Sequence, residues 1–166
     1  IKTFEKNIEV FDTPSYFDNI PKYHKIIHET DMANNFQGYY KKSKKKLSKE
    51  IISAIERGLK YTAKDYAEAI DFMKRSYESY REVFEDYHGV LTPATTGIAD
   101  KGLKSTGSPE FCTIWTYMGL PSISLPLLVG ANNLPLGVQL IGDKLDDLRF
   151  LGVANWLEKK SKKYAK

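Results

Sequence analysis

Residues 113–142 limit what this chain can fold into more than any other stretch. They carry no charged side chain, and two short apolar runs, at 122–125 and 136–141, lie between Gly-Leu-Pro, Asn-Asn-Leu-Pro and Ile-Gly breakers. Short apolar runs bounded by such breakers are typical of buried strands. Uncharged buried strands need cover on both faces, so the stretch predicts a sheet with helices on either side.

The remaining chain contains helical patterns that can supply this cover. A long helix is predicted after Thr62, where Thr62 and Asp65 resemble a capping box. Its predicted apolar face repeats at spacings of three or four and consists of Tyr66, Ile70, Met73, Tyr77, Tyr80, Phe84 and Tyr87. A shorter helix is predicted over 111–118. A final helix over 146–160 has acids in its first turn and lysines in its last, which suits the helix dipole.

Shorter signals complete the predicted order of elements. Residues 7–11 alternate polar and apolar, which predicts a strand, and residues 88–93 predict another that ends at a proline. Ser48 and Gly58 bound a predicted helix. We therefore predict one α/β domain over residues 1–166, with a mixed sheet of short buried strands covered by helices on both faces.

Charge and cysteine content narrow the possible partners. The formal net charge of +4 is concentrated in lysine runs at 41–46 and 159–166. Nearly pure lysine without interleaved aromatics argues against nucleic acid and favours a solvated surface, with an anionic partner as the alternative.

The single cysteine, Cys112, excludes an intramolecular disulfide. With no secretory signal and no apolar run of membrane-spanning length, we expect a cytoplasmic protein. Because the first residue is Ile1, we also expect a fragment, a processed product or the ordered part of something longer.

No complete catalytic or metal-binding set is visible in the residues. His24 and His28 are spaced to face one metal from a helix, but no third ligand is suggested, and two surface histidines are the simpler interpretation. Cys112 has no histidine partner and is expected to pack among apolar residues. Residues 97–105 miss a phosphate-binding loop because Leu103 separates the glycine from the lysine. We therefore predict no metal site and no cofactor, and expect this loop to face substrate or solvent.

The C-terminal half resembles the amidase signature family. The matching motifs are Leu-Thr-Pro at 91–93, Thr-Gly-Ser-Pro at 106–109, Trp-Thr-Tyr-Met-Gly-Leu-Pro-Ser-Ile-Ser-Leu-Pro at 115–126, Leu-Pro-Leu-Gly-Val-Gln-Leu-Ile-Gly at 134–142, and Asp-Asp-Leu-Arg-Phe-Leu at 146–151. The resemblance implies that the chain is the C-terminal part of an amidase signature fold. Such enzymes hydrolyse amides or transfer ammonia in tRNA-dependent amidotransferases.

The resemblance also implies which residues have a role. The family's serine nucleophile, second serine in a cis peptide, and lysine lie in an N-terminal glycine- and serine-rich segment that no position here matches, so no catalytic residue is assigned. The C-terminal half of such enzymes adds strands to the sheet and closes part of the substrate pocket. The candidate pocket residues are Ser105, Thr106, Phe111 and Trp115, with core packing as the alternative for the two aromatic residues.

Two functional hypotheses follow from the resemblance. In the first, the chain is the C-terminal portion of a serine amide hydrolase, inactive alone, whose partner is a small amide once it is joined to the catalytic portion. Thr116, where amidotransferase subunits carry asparagine, makes stand-alone amidases the closer match. In the second, it is a non-catalytic amidase-like module that binds a partner protein or an anionic surface. Either hypothesis leaves a homo-oligomer open.

Overall fold

A computed structural model describes residues 8–103 and 105–164. The helices are α1 (Ile20–Asn35), α2 (Gln37–Ser43), α3 (Lys49–Gly58), α4 (Ala63–Asp86), α5 (Glu110–Met118) and α6 (Asp147–Tyr164), and the strands are β1 (Val90–Pro93), β2 (Ser122–Val129) and β3 (Pro135–Ile141). Short 3₁₀ turns lie at Ser15–Asn19, Lys44–Lys46 and Ala131–Asn133. The chain divides into two compact units, Asp18–Glu78 and the remainder, with the boundary inside α4. The prediction of one domain stays a prediction.

The helical unit begins with α1 and α3, which pack through small residues and an ion pair between the buried Glu29 and the half-exposed Arg57. Gly58 lies so close to α1 that an added Cβ would come within 1.9 Å of the Glu29 carbonyl oxygen. The Glu29 carboxylate is buried, and it accepts from Arg57 Nε at 2.8 Å and Nη2 at 2.6 Å. Tyr61 adds a hydroxyl at 3.3 Å. These contacts provide the carboxylate with the donors that a buried charge requires.

The capping signals in this unit operate as the sequence predicts. Ser48 Oγ accepts from the Ile51 amide at 3.3 Å, which starts α3. Thr62 Oγ1 accepts from the Asp65 amide at 3.1 Å, while Asp65 Oδ2 accepts from the Thr62 amide at 2.7 Å. This reciprocal pair is the capping box that starts α4.

The second unit is built on a three-stranded antiparallel sheet in the order β1-β3-β2. On one face, α6 contributes Phe150, Ala154 and Leu157 to a core with Leu125 and Leu140. On the other face, Gln139 donates a hydrogen bond to the first turn of α5. Helices therefore cover both faces, and the α/β prediction is confirmed.

Two details of the sheet differ from the sequence-based prediction. The three described strands are all antiparallel, so none of the parallel pairs of a mixed sheet occurs among them. Strand β2 is also mostly exposed, with Leu125 its one buried residue. Its position at a sheet edge explains this, because an edge strand has a neighbour on one side only. Pro126, which has no amide hydrogen to donate, is compatible with that edge.

The predicted strand at residues 7–11 is wrong for its described part. Residues 8–14 have no regular structure, and Val10 is exposed, while Asn7 lies outside the described residues. The segment is instead held by its aromatic side chains and an acid. Phe11 stacks 6.3 Å from the Tyr87 ring, and Glu9 accepts from the Tyr87 hydroxyl at 2.5 Å. Side-chain contacts here replace the strand pairing that an alternating pattern requires.

Candidate functional site

The loop between β1 and α5 contains Ser105 and Thr106, two of the four predicted pocket residues, and hydrogen bonds hold both of its ends. At its start, the Ala94 amide donates to the Gly137 carbonyl at 3.0 Å. At its end, Ser108 Oγ accepts from the Glu110 amide at 3.2 Å, next to the start of α5. Between these points, Ser105 Oγ accepts from the Gly107 amide at 3.0 Å. The loop therefore leaves and rejoins the core at defined positions.

Gln139 connects the loop's two ends, although sequence analysis did not single it out. Its side chain is buried, and Nε2 donates to Thr92 Oγ1 at 2.9 Å and to the Phe111 carbonyl at 2.6 Å. One amide group thereby holds β1, β3 and α5 together. A signal for it was present: a lone polar residue within the apolar run 136–141 is buried only when its hydrogen bonds are satisfied.

The four predicted pocket residues occupy different environments. Ser105 and Thr106 are exposed in the loop, and Phe111 is half-buried in the first turn of α5. Trp115 is buried, with its ring 5.5 Å from the Tyr80 ring in an edge-to-face contact. Burial raises the pKa of the Tyr80 hydroxyl, so this neighbour stays neutral. Trp115 thus lies in the core, and the other three residues have side-chain surface to offer.

Cys112 is exposed, which contradicts the expectation that it packs among apolar residues. Its Sγ lies 3.7 Å from the Ala94 carbonyl oxygen, at the start of the loop. Helical position explains the difference, because Cys112 follows the half-buried Phe111 by one residue and so points to a different side of α5.

The remaining histidine, cysteine and acidic side chains are the groups that could form a metal site. Within residues 8–103 and 105–164, no three histidine, cysteine or acidic side chains are close enough to hold a metal. His24 and His28 stack with ring centroids 5.7 Å apart. A cavity of about 480 Å³ lies at the turn before α6 and is lined by Gly119, Leu120, Pro121, Lys144, Leu145 and Asp147, none of which is a candidate pocket residue. None of the described helices is long and apolar enough to cross a membrane.

Comparison with known proteins decides the family. The family model described as Amidase matches residues 6–151, which is most of the chain. The chain belongs to the amidase signature family. A solved structure titled as an amidase superposes on 96% of the chain and 41% of its own length, with a TM-score of 0.77 and 20% identity. A bacterial aryl acylamidase of the same family gives a TM-score of 0.74 at 15% identity, over 96% and 38%. At these identities the similarity shows the shared fold.

Sequence relatives of this amidase-family chain include glutamyl-tRNA(Gln) amidotransferase subunits A. The subunit from Alkaliphilus metalliredigens is 33% identical over 100 residues, which span 56% of this chain and 20% of the subunit. The subunit from Bacillus cereus (strain AH187) is 27% identical over 152 residues, which span 82% and 31%. The chain therefore spans only about a fifth to a third of the length of these relatives.

Proposed function

We propose that this chain is the C-terminal portion of a serine amide hydrolase, which completes the sheet and one wall of the substrate pocket and is inactive alone. The family match over residues 6–151 carries the proposal. The chemistry would be acyl transfer, in which a serine attacks the amide carbon and backbone amides stabilise the oxyanion. The C–N bond then breaks, the amine leaves with a proton, and water hydrolyses the acyl-serine ester to the acid and the free serine. The serine nucleophile, second serine and lysine of the family have no counterpart in these residues.

The proposed wall consists of Ser105, Thr106 and Phe111, with Trp115 behind it. Phe111 offers apolar surface, and the two hydroxyls offer hydrogen bonds, which is the mixture that small-molecule pockets use. The Gln139 amide would hold this wall at a fixed position on the sheet, because it binds the Phe111 carbonyl directly.

The first experiment uses a serine-directed fluorophosphonate probe. We expect the 166-residue chain to remain unlabelled, because it has no activated serine, and the product of the full reading frame to be labelled. Labelling of the isolated chain at Ser105 or Ser122 would show that it carries its own nucleophile and would refute the proposal.

The pocket wall is tested separately in the full-length product, with a panel of small amides. Phe111→Ala should raise KM several-fold with a smaller change in kcat, because it removes apolar contact with the substrate. Asn155→Ala, an exposed residue on α6, is the matched control and should leave both constants unchanged. Equal kinetic constants for wild type and Phe111→Ala would exclude Phe111 from the pocket.

A tRNA-dependent amidotransferase subunit is the second candidate, and the curated relatives favour it. Thr116 in place of the asparagine of such subunits favours a stand-alone amidase. If the full-length product hydrolyses small amides without tRNA or a partner subunit, the stand-alone function holds. Activity that requires both would establish the second candidate.

A further inference from the structure

The lysine run is an exposed surface with one sign of charge. Between Asp31 and Glu50 the sequence contains no acidic residue. The lysines of this segment are all exposed: Lys41, Lys42, Lys44, Lys45, Lys46 and Lys49. Such a cluster creates a positive potential that attracts anionic surfaces.

Hydrogen bonds join α2 and the turn after it to Glu56 on α3. The Tyr40 hydroxyl donates to Glu56 Oε1 at 2.8 Å. Lys44 Nζ donates to the same oxygen at 2.7 Å and to the Tyr40 hydroxyl at 2.9 Å. The hydrogen bonds from Lys44 and then Tyr40 lower the pKa of Glu56, which keeps it charged. Lys44 is therefore engaged in this contact, while Lys41, Lys42, Lys45 and Lys46 are exposed beside it.

Exposed aromatic rings lie on and next to α2, beside the lysines. Phe36 and Tyr39 are 38% and 64% exposed, and their ring centroids lie 6.2 Å apart. The Tyr40 amide donates to the Phe36 carbonyl at 2.9 Å, so the helical path includes Phe36. Spacings of three therefore place Phe36, Tyr39 and Lys42 on one side. Nothing lies within 4 Å of a Cβ added at Gly38, so this part of the surface is open.

Aromatic rings next to lysines are typical of helices that lie in the interface of a membrane. There the rings enter the headgroup boundary, while the lysine stems follow them and keep their ammonium groups in water. Clusters of four or more lysines bind anionic headgroups by charge alone. Base-specific readers of nucleic acid use arginine forks, and the first arginine of this chain is Arg57, which is engaged with Glu29.

We propose that the surface formed by Phe36, Tyr39, Lys41, Lys42, Lys45 and Lys46 docks on an anionic phospholipid bilayer. Binding is peripheral and reversible, and it is driven by lysine–headgroup attraction with the two rings as a shallow apolar anchor. It requires no part of the proposed amide pocket, so it stands or falls independently of the hydrolase proposal.

The test is co-sedimentation of the chain with vesicles of phosphatidylcholine alone or mixed with phosphatidylserine. We expect binding to the mixed vesicles only, weakened in 0.5 M salt to about the level of neutral vesicles because the Debye length falls to about 4 Å. The double variant K41E/K42E should lower the partition coefficient at least about tenfold. F36S/Y39S should lower it several-fold while leaving the salt dependence.

The matched control is K159E/K160E, which reverses two adjacent lysines in α6 and so changes the net charge equally. It should bind like wild type. Circular dichroism of every variant serves as the check that the variant remains folded. Equal loss in K159E/K160E would mean that net charge and not this surface controls binding, and the proposal would be wrong. Tight binding of a labelled single-stranded oligonucleotide with no vesicle binding would overturn it in favour of nucleic acid.

Discussion

At the scale of single residues, the absence of a side chain at Gly58 allows α1 and α3 to pack closely. Gly58→Ala places a methyl group against the Glu29 carbonyl, and backbone atoms there have no room to move. We expect a loss of about 1–3 kcal/mol or more in the free energy of unfolding, measured by urea denaturation. Gly38→Ala is the control, because its added Cβ in the first turn of α2 meets no atom within 4 Å, and it should be neutral or stabilising. If both substitutions have the same effect, the predicted close approach is incorrect.

His24 gives a prediction about pH at the same scale. Burial and then the charge of His28 lower the pKa of His24 below its usual 6.5. The unfolded chain binds this proton more strongly, so stability is full above pH 6.5 and falls as pH decreases from there through the folded pKa. Titration of the ring by NMR should give a midpoint below 6.5. His28→Gln should raise that midpoint but leave it below 6.5, because burial is the larger cause; a rise to 6.5 or above would contradict this.

At the scale of elements, one buried amide connects two strands and a helix. Gln139→Leu keeps the approximate volume and removes both hydrogen bonds, which leaves the half-buried Thr92 hydroxyl and the Phe111 carbonyl without that donor. We expect a loss of about 1–3 kcal/mol. Hydrogen exchange should accelerate at the start of α5 more than in α6. Gln37→Leu, an exposed amide on α2, should change neither quantity. Uniform acceleration across the chain would point to general destabilisation instead.

Sequence patterns predicted an element correctly where its structure depends only on residues close together in the chain. The serine cap at Ser48 and the capping box at Thr62 form as predicted, because their hydrogen bonds join residues three apart. The strand predicted at 7–11 fails because strand formation also requires a paired neighbour, which alternation alone does not supply. Helix α4 shows an intermediate case. Its predicted stripe includes the buried Tyr80 and Phe84, but Ala69 and Ser76 are also buried, and their small side chains gave no apolar signal.

At the scale of the whole molecule, this chain exposes large apolar side chains beside its cavity. Leu145 is 99% exposed and adopts a left-handed backbone conformation (φ 60°), and Leu148 is 91% exposed. Leu148→Glu should raise solubility, measured as the precipitation midpoint in ammonium sulfate, because it replaces exposed apolar surface with charge. Its unfolding free energy should stay within about 0.5 kcal/mol of wild type. Leu157→Glu on the buried side of α6 should prevent folding, and a stable Leu157→Glu variant would contradict the core described here.

By itself, the sequence determined the α/β class, the starts of α3 and α4, and the family, because these depend on hydrophobic periodicity, local capping bonds and short motifs whose residues are adjacent in the chain. The tertiary structure alone decided three other points. It showed that the stretch 113–142 includes an exposed edge strand, that Trp115 is buried against Tyr80 while Phe111 keeps open surface, and that Gln139 joins β1 to α5 on either side of the loop. Each point depends on contacts between residues distant in sequence, such as the 28 residues that separate Gln139 from Phe111. Burial and hydrogen-bond satisfaction at those positions follow from packing, which no local pattern encodes.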